Sequence, residues 1–225
     1  MRALRLGAAG ALALVVAAVP ASRAGAQVVW TSWTSATAGQ TTGTASGTMG
    51  STTVSYAGEV GSGTQVNNTG TFVWNETGTP LAYGGMGPTR TDFIQLLGGP
   101  NTGTNTLTFS SPVNNLFLAV VSLGQGGVPA SFNFADAFTI NSQGAGHWGG
   151  TATSLTQSGN TLTGSEGNGV LRFSGPVSSL SWTNPGYENY YGFTVGTSTV
   201  PEPSSIALLG SGLVGLVPLV RRRRR

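Results

Sequence analysis

Two ten-residue stretches of this chain are near copies of one another. Leu107-Thr108-Phe109-Ser110-Ser111-Pro112-Val113-Asn114-Asn115-Leu116 matches Leu171-Arg172-Phe173-Ser174-Gly175-Pro176-Val177-Ser178-Ser179-Leu180 at six of ten positions, 64 residues apart. In both, Leu and Phe stand two apart and so share one face of a strand. A Ser-x-Pro step follows, where proline cannot donate to a central ladder and is expected to break the strand. Val and Leu then open a second extended run, 116–121 in the first copy and 180–183 in the second. Each unit reads as strand, corner, strand. The offset is too long for a propeller blade or a leucine-rich repeat, and two copies are too few for a solenoid. Two equivalent corners in a two-sheet sandwich suit it.

The rest of the middle of the chain agrees. Thr52-Thr53-Val54-Ser55-Tyr56, Thr71-Phe72-Val73-Trp74 and Ala130-Ser131-Phe132-Asn133-Phe134 alternate as half-buried strands do. Ala137-Phe138-Thr139-Ile140 and the aromatic run Tyr187 to Val195 add further extended segments. Residues 35–51 have the composition of a linker, but the β-branched and aromatic positions after them favour short strands with long loops. Only Asp92-Phe93-Ile94-Gln95-Leu96-Leu97 admits a helical turn as well as a strand. The expected fold is all-β, a jelly-roll-like two-sheet β-sandwich, flanked by an N-terminal signal helix and a C-terminal hydrophobic helix.

Both flanks read as targeting matter. Arg2 and Arg5 precede an apolar run over residues 6–19, and Ala24-Gly25-Ala26 before Gln27 is a small-x-small cleavage pattern. The run is short and ends at Pro20, which disfavours a permanent anchor. Segment 1–26 is therefore expected to be a signal peptide, cleaved between Ala26 and Gln27. At the other end Val200-Pro201-Glu202-Pro203 leads into an apolar stretch, 204–220, and then Arg221, Arg222, Arg223, Arg224 and Arg225. Prolines on both sides of Glu202 keep the tetrapeptide extended. Seventeen residues make about 25 Å of helix, short for a ~30 Å hydrocarbon core, and Pro218 with three glycines weakens it further. Five arginines act as a cytoplasmic stop, which leaves the preceding domain outside.

A Pro-Glu-Pro box, hydrophobic helix and basic terminus in this order resemble the PEP-CTERM sorting signal of exported bacterial proteins. The resemblance covers 200–225. It implies an exosortase-type membrane peptidase as partner, a membrane-bound precursor held through its helix, and a mature product at the cell surface or in an exopolysaccharide matrix. The strand–corner–strand pattern and the closing Tyr-Gly-Phe-Thr-Val look like the β-rich ectodomains found ahead of such tails. The expected organisation is thus 1–26 signal, 27–199 ectodomain and 200–225 sorting signal.

Setting the flanks aside reverses the charge. Residues 27–199 hold two arginines, Arg90 and Arg172, against six acids, Glu59, Glu76, Asp92, Asp136, Glu166 and Glu188, a balance of −4. Although the whole-chain pI is about 9.8, this domain has no basic patch to neutralise phosphates, so no nucleic-acid partner is expected. Cysteine and lysine are absent, which removes thiolate and Schiff-base chemistry.

Candidate chemistry is sparse. Gly210-Ser211-Gly212-Leu213-Val214-Gly215 satisfies G-x-G-x-x-G, but it lies in the terminal apolar stretch and not in a βαβ unit, so it is read as a packing feature. His147 is the only histidine and has no G-x-S-x-G elbow to serve. Glu166 and Glu188 are the best carboxylate pair for glycan hydrolysis, though Glu166 sits in a glycine-rich turn. Asp92, Asp136, Glu166 and Glu188 offer oxygens for a structural calcium, but no D-x-D-x-D-G loop assigns a ligand set, and no cofactor is expected. Among Trp30, Trp33, Trp74, Trp148 and Trp182, Trp182 falls on a core register, while Trp148 in a glycine-rich loop is the candidate for ligand contact. Asn67 and Asn75 head N-x-T sequons, a sign of exposure. The reading is a non-enzymatic exported surface or matrix protein. The alternatives are a carbohydrate-binding module and a glycan hydrolase.

Overall fold

The computed structural model describes residues 27–199; the signal segment, the Val200–Pro203 box, the arginine terminus and both expected flanking helices lie outside the described residues. Within them the chain forms fourteen strands and no helix: β1 (Gln27–Trp30), β2 (Ser32–Thr37), β3 (Gly39–Met49), β4 (Thr52–Val60), β5 (Ile94–Leu96), β6 (Asn105–Val113), β7 (Leu116–Leu123), β8 (Ala130–Phe134), β9 (Phe138–Gly144), β10 (Leu155–Ser158), β11 (Thr161–Gly164), β12 (Gly167–Phe173), β13 (Val177–Thr183) and β14 (Tyr191–Thr199). They make two antiparallel sheets. The six-stranded sheet runs β1-β14-β7-β12-β9, with β5 also on β14; the eight-stranded sheet runs β10-β11-β8-β13-β6-β4-β3-β2. The all-β sandwich expected from the sequence is what the chain forms. The linker-like residues 35–51 belong to strands β2 and β3, and the ambiguous 92–97 segment contains strand β5.

Each repeat copy forms a corner at which the chain crosses from one sheet to the other. β6 lies in the eight-stranded sheet and β7 in the six-stranded one, while β12 and β13 cross in the opposite direction. The copies pair with each other, β7 on β12 (Phe173 opposite Leu116) and β6 on β13 (Leu180 opposite Leu107). The corners themselves do not fall at equivalent residues. In the second copy the strand breaks at Ser174-Gly175-Pro176, as expected. In the first, β6 continues through Pro112 and the chain turns at Asn114-Asn115. The reason lies at two positions where the copies differ. Gly175 takes φ 85° where the first copy has Ser111, and Asn115 takes φ 51° where the second has Ser179. Glycine and asparagine are the residues that enter left-handed backbone most cheaply, so each copy turns where it owns one.

The main core lies between the sheets. Phe132, Phe134, Trp182, Tyr56 and Phe193 meet there edge to face or offset, with Trp182 and Phe193 centroids 5.0 Å apart at 86°. The eight-stranded sheet alternates apolar residues inward with Ser and Thr outward. In the six-stranded sheet the central strand β7 is buried on both faces and accordingly reads as an almost continuous apolar run, interrupted by Ser122. Leu116, Leu118 and Val120 enter the inter-sheet core. Phe117, Ala119 and Val121 enter a second cluster with Trp30, Val73, Trp74, Tyr83 and Phe93. That second cluster is supplied largely by the long connection 61–93, which folds across the sheet's outer face. Thr71-Phe72-Val73-Trp74, expected as a strand, is irregular chain within this cover. Its alternation records burial of Val73 and Trp74 against the sheet, without a ladder partner.

A polar tie crosses the core. The Glu59 carboxylate accepts bonds from the Leu97 and Gly98 amides at 3.0–3.1 Å and from Asn184 Nδ2 at 2.7 Å. Asn184 also donates to Tyr191 Oη and accepts from Asn105, whose Oδ1 receives Tyr56 Oη and the Glu59 amide. Every carboxylate oxygen is matched, which is what allows a buried acid to persist.

Candidate functional site

The loop after β9 narrows to a two-residue tip. Gly146 and Gly149 bond each other across it, and His147 and Trp148 stand at the end. Asn168, buried on β12, holds the loop in place: its Nδ2 donates to the carbonyls of Gly149 (3.0 Å) and Glu166 (2.9 Å), and its Oδ1 accepts the Ser122 amide. Glycine is required at Gly150, where φ is +88° and a Cβ would run into the Glu166 carbonyl.

Trp148 is 43 % exposed, while Trp30, Trp33, Trp74 and Trp182 are buried. Of the five tryptophans weighed for ligand contact, only Trp148 offers an open ring; the other four are core. His147 meets it at 4.6 Å and 77°, and Tyr190 at 4.9 Å and 66°, both edge to face. The ring is therefore steadied from two sides. His147 Nδ1 and Asn75 Nδ2 are hydrogen-bonded at 2.8 Å. Among the described residues the hydrogen-bond partner of the His147 ring is Asn75, and no hydrogen bond joins the ring to a hydroxyl or a carboxylate. Asn75, read from its sequon as exposed, is part-buried by this contact; Asn67 is exposed.

Glu166 lies near enough to Glu188 for its charge to act on that carboxyl. Glu166 has φ 55° and accepts Ser122 Oγ at 2.8 Å; Ser122 is itself left-handed at φ 53°. Glu188 is 4 % exposed. Its Oε1 accepts the Tyr190 amide at 2.8 Å, and its Oε2 has no hydrogen-bond partner. Burial pushes the Glu188 carboxyl above its ordinary value, and the Glu166 charge adds to this against the opposing pull of the Tyr190 and Asn189 amides. The other two acids weighed for calcium lie elsewhere. Asp92 is bound by Arg90 at 2.6 Å and by the Asn68 amide; Asp136 is exposed beside Phe138. Among the described residues no three acidic or imidazole groups converge as a metal site would require.

Tyr190, Asn168 and Asn75 complete this arrangement. Their places depend on contacts between segments far apart in sequence, and no local pattern marks them.

The two ends of the domain meet at one edge. Gln27 lies opposite Thr199 and Trp30 opposite Gly196 in the β1–β14 ladder. The expected signal-cleavage residue Gln27 thus begins one edge strand, and the sorting box begins directly after its partner. A family model, the PEP-CTERM protein-sorting motif, matches residues 199–225. No curated protein and no solved structure matches the chain. The residue that closes the last strand of the sandwich also opens a PEP-CTERM protein-sorting motif.

Proposed function

We propose that the chain is an exported, non-enzymatic protein of the cell surface or extracellular matrix. Residues 27–199 are its functional domain, and we read the order β5-β14-β7-β12 facing β6-β13-β8-β11 as a jelly roll with added edge strands. The observation that carries the reading is the sorting motif at 199–225 abutting a domain that is complete at Thr199. Its processing partner is an exosortase-type membrane peptidase acting at Pro201-Glu202-Pro203. The precursor is held transiently by its apolar stretch, with Arg221 to Arg225 on the cytoplasmic side. Segment 1–26 directs export and is then removed, so the mature chain starts at Gln27. The test is Glu202→Ala in the native host. The expected outcome is an unprocessed, membrane-retained precursor, and release at the parent rate would reduce the tail to an ordinary anchor.

A second reading, saccharide contact at Trp148, is favoured by the one open tryptophan ring, held edge to face by His147 and Tyr190. A sugar's apolar face can lie on such a ring. Trp148→Ala is expected to weaken retention of the domain by the host's exopolysaccharide; unchanged retention would remove this reading.

A further inference from the structure

We propose that the outer face of the eight-stranded sheet is a docking surface for a neutral, hydroxyl-rich polysaccharide chain. The inference stands on this face alone and needs neither the sorting tail nor Trp148. Strand register places small hydroxyl side chains in rows. Ser35, Ser46, Ser55, Thr108 and Ser179 are successive Cα partners across β2, β3, β4, β6 and β13. At ~4.8 Å between strands this row spans roughly 19 Å. A parallel row follows through Thr37, Thr44, Ala57, Thr106 and Ser181. A groove of ≈ 380 Å³ runs over the centre of both rows, lined by Ser35, Thr44, Ser46, Ser55, Thr106 and Thr108 among others.

The chemistry of the face selects its occupant. The eight strands contain one carboxylate and no basic side chain, and that carboxylate, Glu59, is turned into the core. A polyanion or polycation would find no ion pair here. A protein partner would find no Trp, Tyr or Arg anchor projecting outward, and such anchors dominate protein interfaces. What the face offers is hydroxyls, each both donor and acceptor. Ser35 and Ser46 use theirs on each other at 2.8 Å. The side chains of Thr44, Ser55, Thr106 and Thr108 line the groove, and their hydroxyls have no protein partner. A neutral polyhydroxylated chain matches donor to acceptor at every repeat, with no charge to desolvate.

Native affinity electrophoresis of the 27–199 domain, which contains both cores complete, provides the test. Gels would hold hydroxyethyl cellulose, dextran or galactomannan, with alginate as the anionic comparison. The domain is expected to be retarded by at least one neutral polymer and not by alginate. Ser55→Glu with Thr108→Glu should weaken that retardation by about tenfold or more, since two hydrogen-bonding positions are replaced by charge. Ser55→Thr with Thr108→Ser should preserve it, and unchanged thermal unfolding would show that all variants are folded. Failure of every neutral polymer to retard the domain overturns the proposal, as does retardation by alginate alone. So does parent-like migration of the glutamate pair. Loss of retardation on Trp148→Ala but not on the glutamate pair would move the binding to the Trp148 loop. A dimer dissolved by the same glutamates would reassign the face to a second copy of the chain.

Discussion

Replacing Glu59 by alanine removes the centre of the polar tie. Three N–H groups then lose their acceptor: Leu97 N, Gly98 N and Asn184 Nδ2. Each buried donor left unmatched costs about 1–3 kcal/mol, so the gross loss for three is about 3–9 kcal/mol. Two effects work against it. The cost of burying a carboxylate disappears, and the groove beside Glu59, lined by Gly39, Gly61, Leu97 and Tyr187, lets water approach the vacated space. A net destabilisation of about 3 kcal/mol is expected. For a domain of this size that lowers Tm by roughly 6–12 °C, a large share of a typical stability of about 5–15 kcal/mol. Glu59→Gln should cost less, because one carbonyl oxygen remains while its NH₂ faces donors. Urea titration of Glu59→Ala, Asn184→Ala and the double variant would measure the coupling across the 2.7 Å bond, expected to exceed about 1 kcal/mol. Additive effects, or a Tm within about 2 °C of the parent for Glu59→Ala, would refute the account of the tie as a supported buried charge.

Three further outcomes follow from the same geometry. The carboxyl of Glu188 is raised in the folded state from an ordinary value of 4.5, so between that value and the raised one the folded chain binds more protons than the unfolded chain. Stability must then fall as pH rises through this window, and Glu188→Gln should flatten the fall and raise Tm at neutral pH in calorimetry across pH 4–8. Gly175→Ala, forced into φ 85° at an otherwise open site, should cost about 1–2 kcal/mol by urea denaturation, whereas Asn115→Gly should change stability by a few tenths and lose only the 2.7 Å bond from Arg172. Asn168→Ala removes three bonds that hold the Trp148 loop and should cost about 2–4 kcal/mol, with a red shift of tryptophan emission as the ring becomes freer.

The sandwich was readable because alternation and the repeat both report burial directly. Leu107 and Phe109, like Leu171 and Phe173, point inward as their spacing requires. The same signal misled at Thr71 to Trp74, since Val73 and Trp74 are buried by a covering loop, and alternation cannot distinguish a cover from a ladder. The shared Ser-x-Pro does not place the corner in the first copy, because Asn115 and Gly175, where the copies differ, decide where each chain turns. Pro112 is tolerated near the end of β6, where the register with β13 is already irregular. Around Trp148 the legible part was a glycine-rich loop with an aromatic tip. The contacts that give it shape join residues 75, 122, 168 and 190, and only the folded topology brings these together. Glu59 offered no sign of its role, because its partners lie 38 to 125 residues away.

The position of β14 ties folding to the sorting motif. This strand is the last of the domain, yet it is internal to its sheet, with β7 on one edge and β1 with β5 sharing the other. Tyr191, Phe193 and Val195 enter the inter-sheet core from it. A chain lacking it loses three buried side chains at about 2 kcal/mol or more each and leaves the edge of β7 open, on top of the Tyr191 end of the polar tie. That loss rivals the whole stability of an ordinary domain. Strands β1 and β5 also lose their only strand partner, so the six-stranded sheet cannot close until residue 199 is available. A fragment 27–184 is therefore expected to be protease-sensitive and to lack a cooperative thermal transition, while 27–199 unfolds cooperatively. Cooperative unfolding of 27–184 would show that the sandwich is set without β14. With β14 required, the motif at 199–225 follows the last residue the fold needs, and every chain that can fold has been extended to the point where its sorting signal begins.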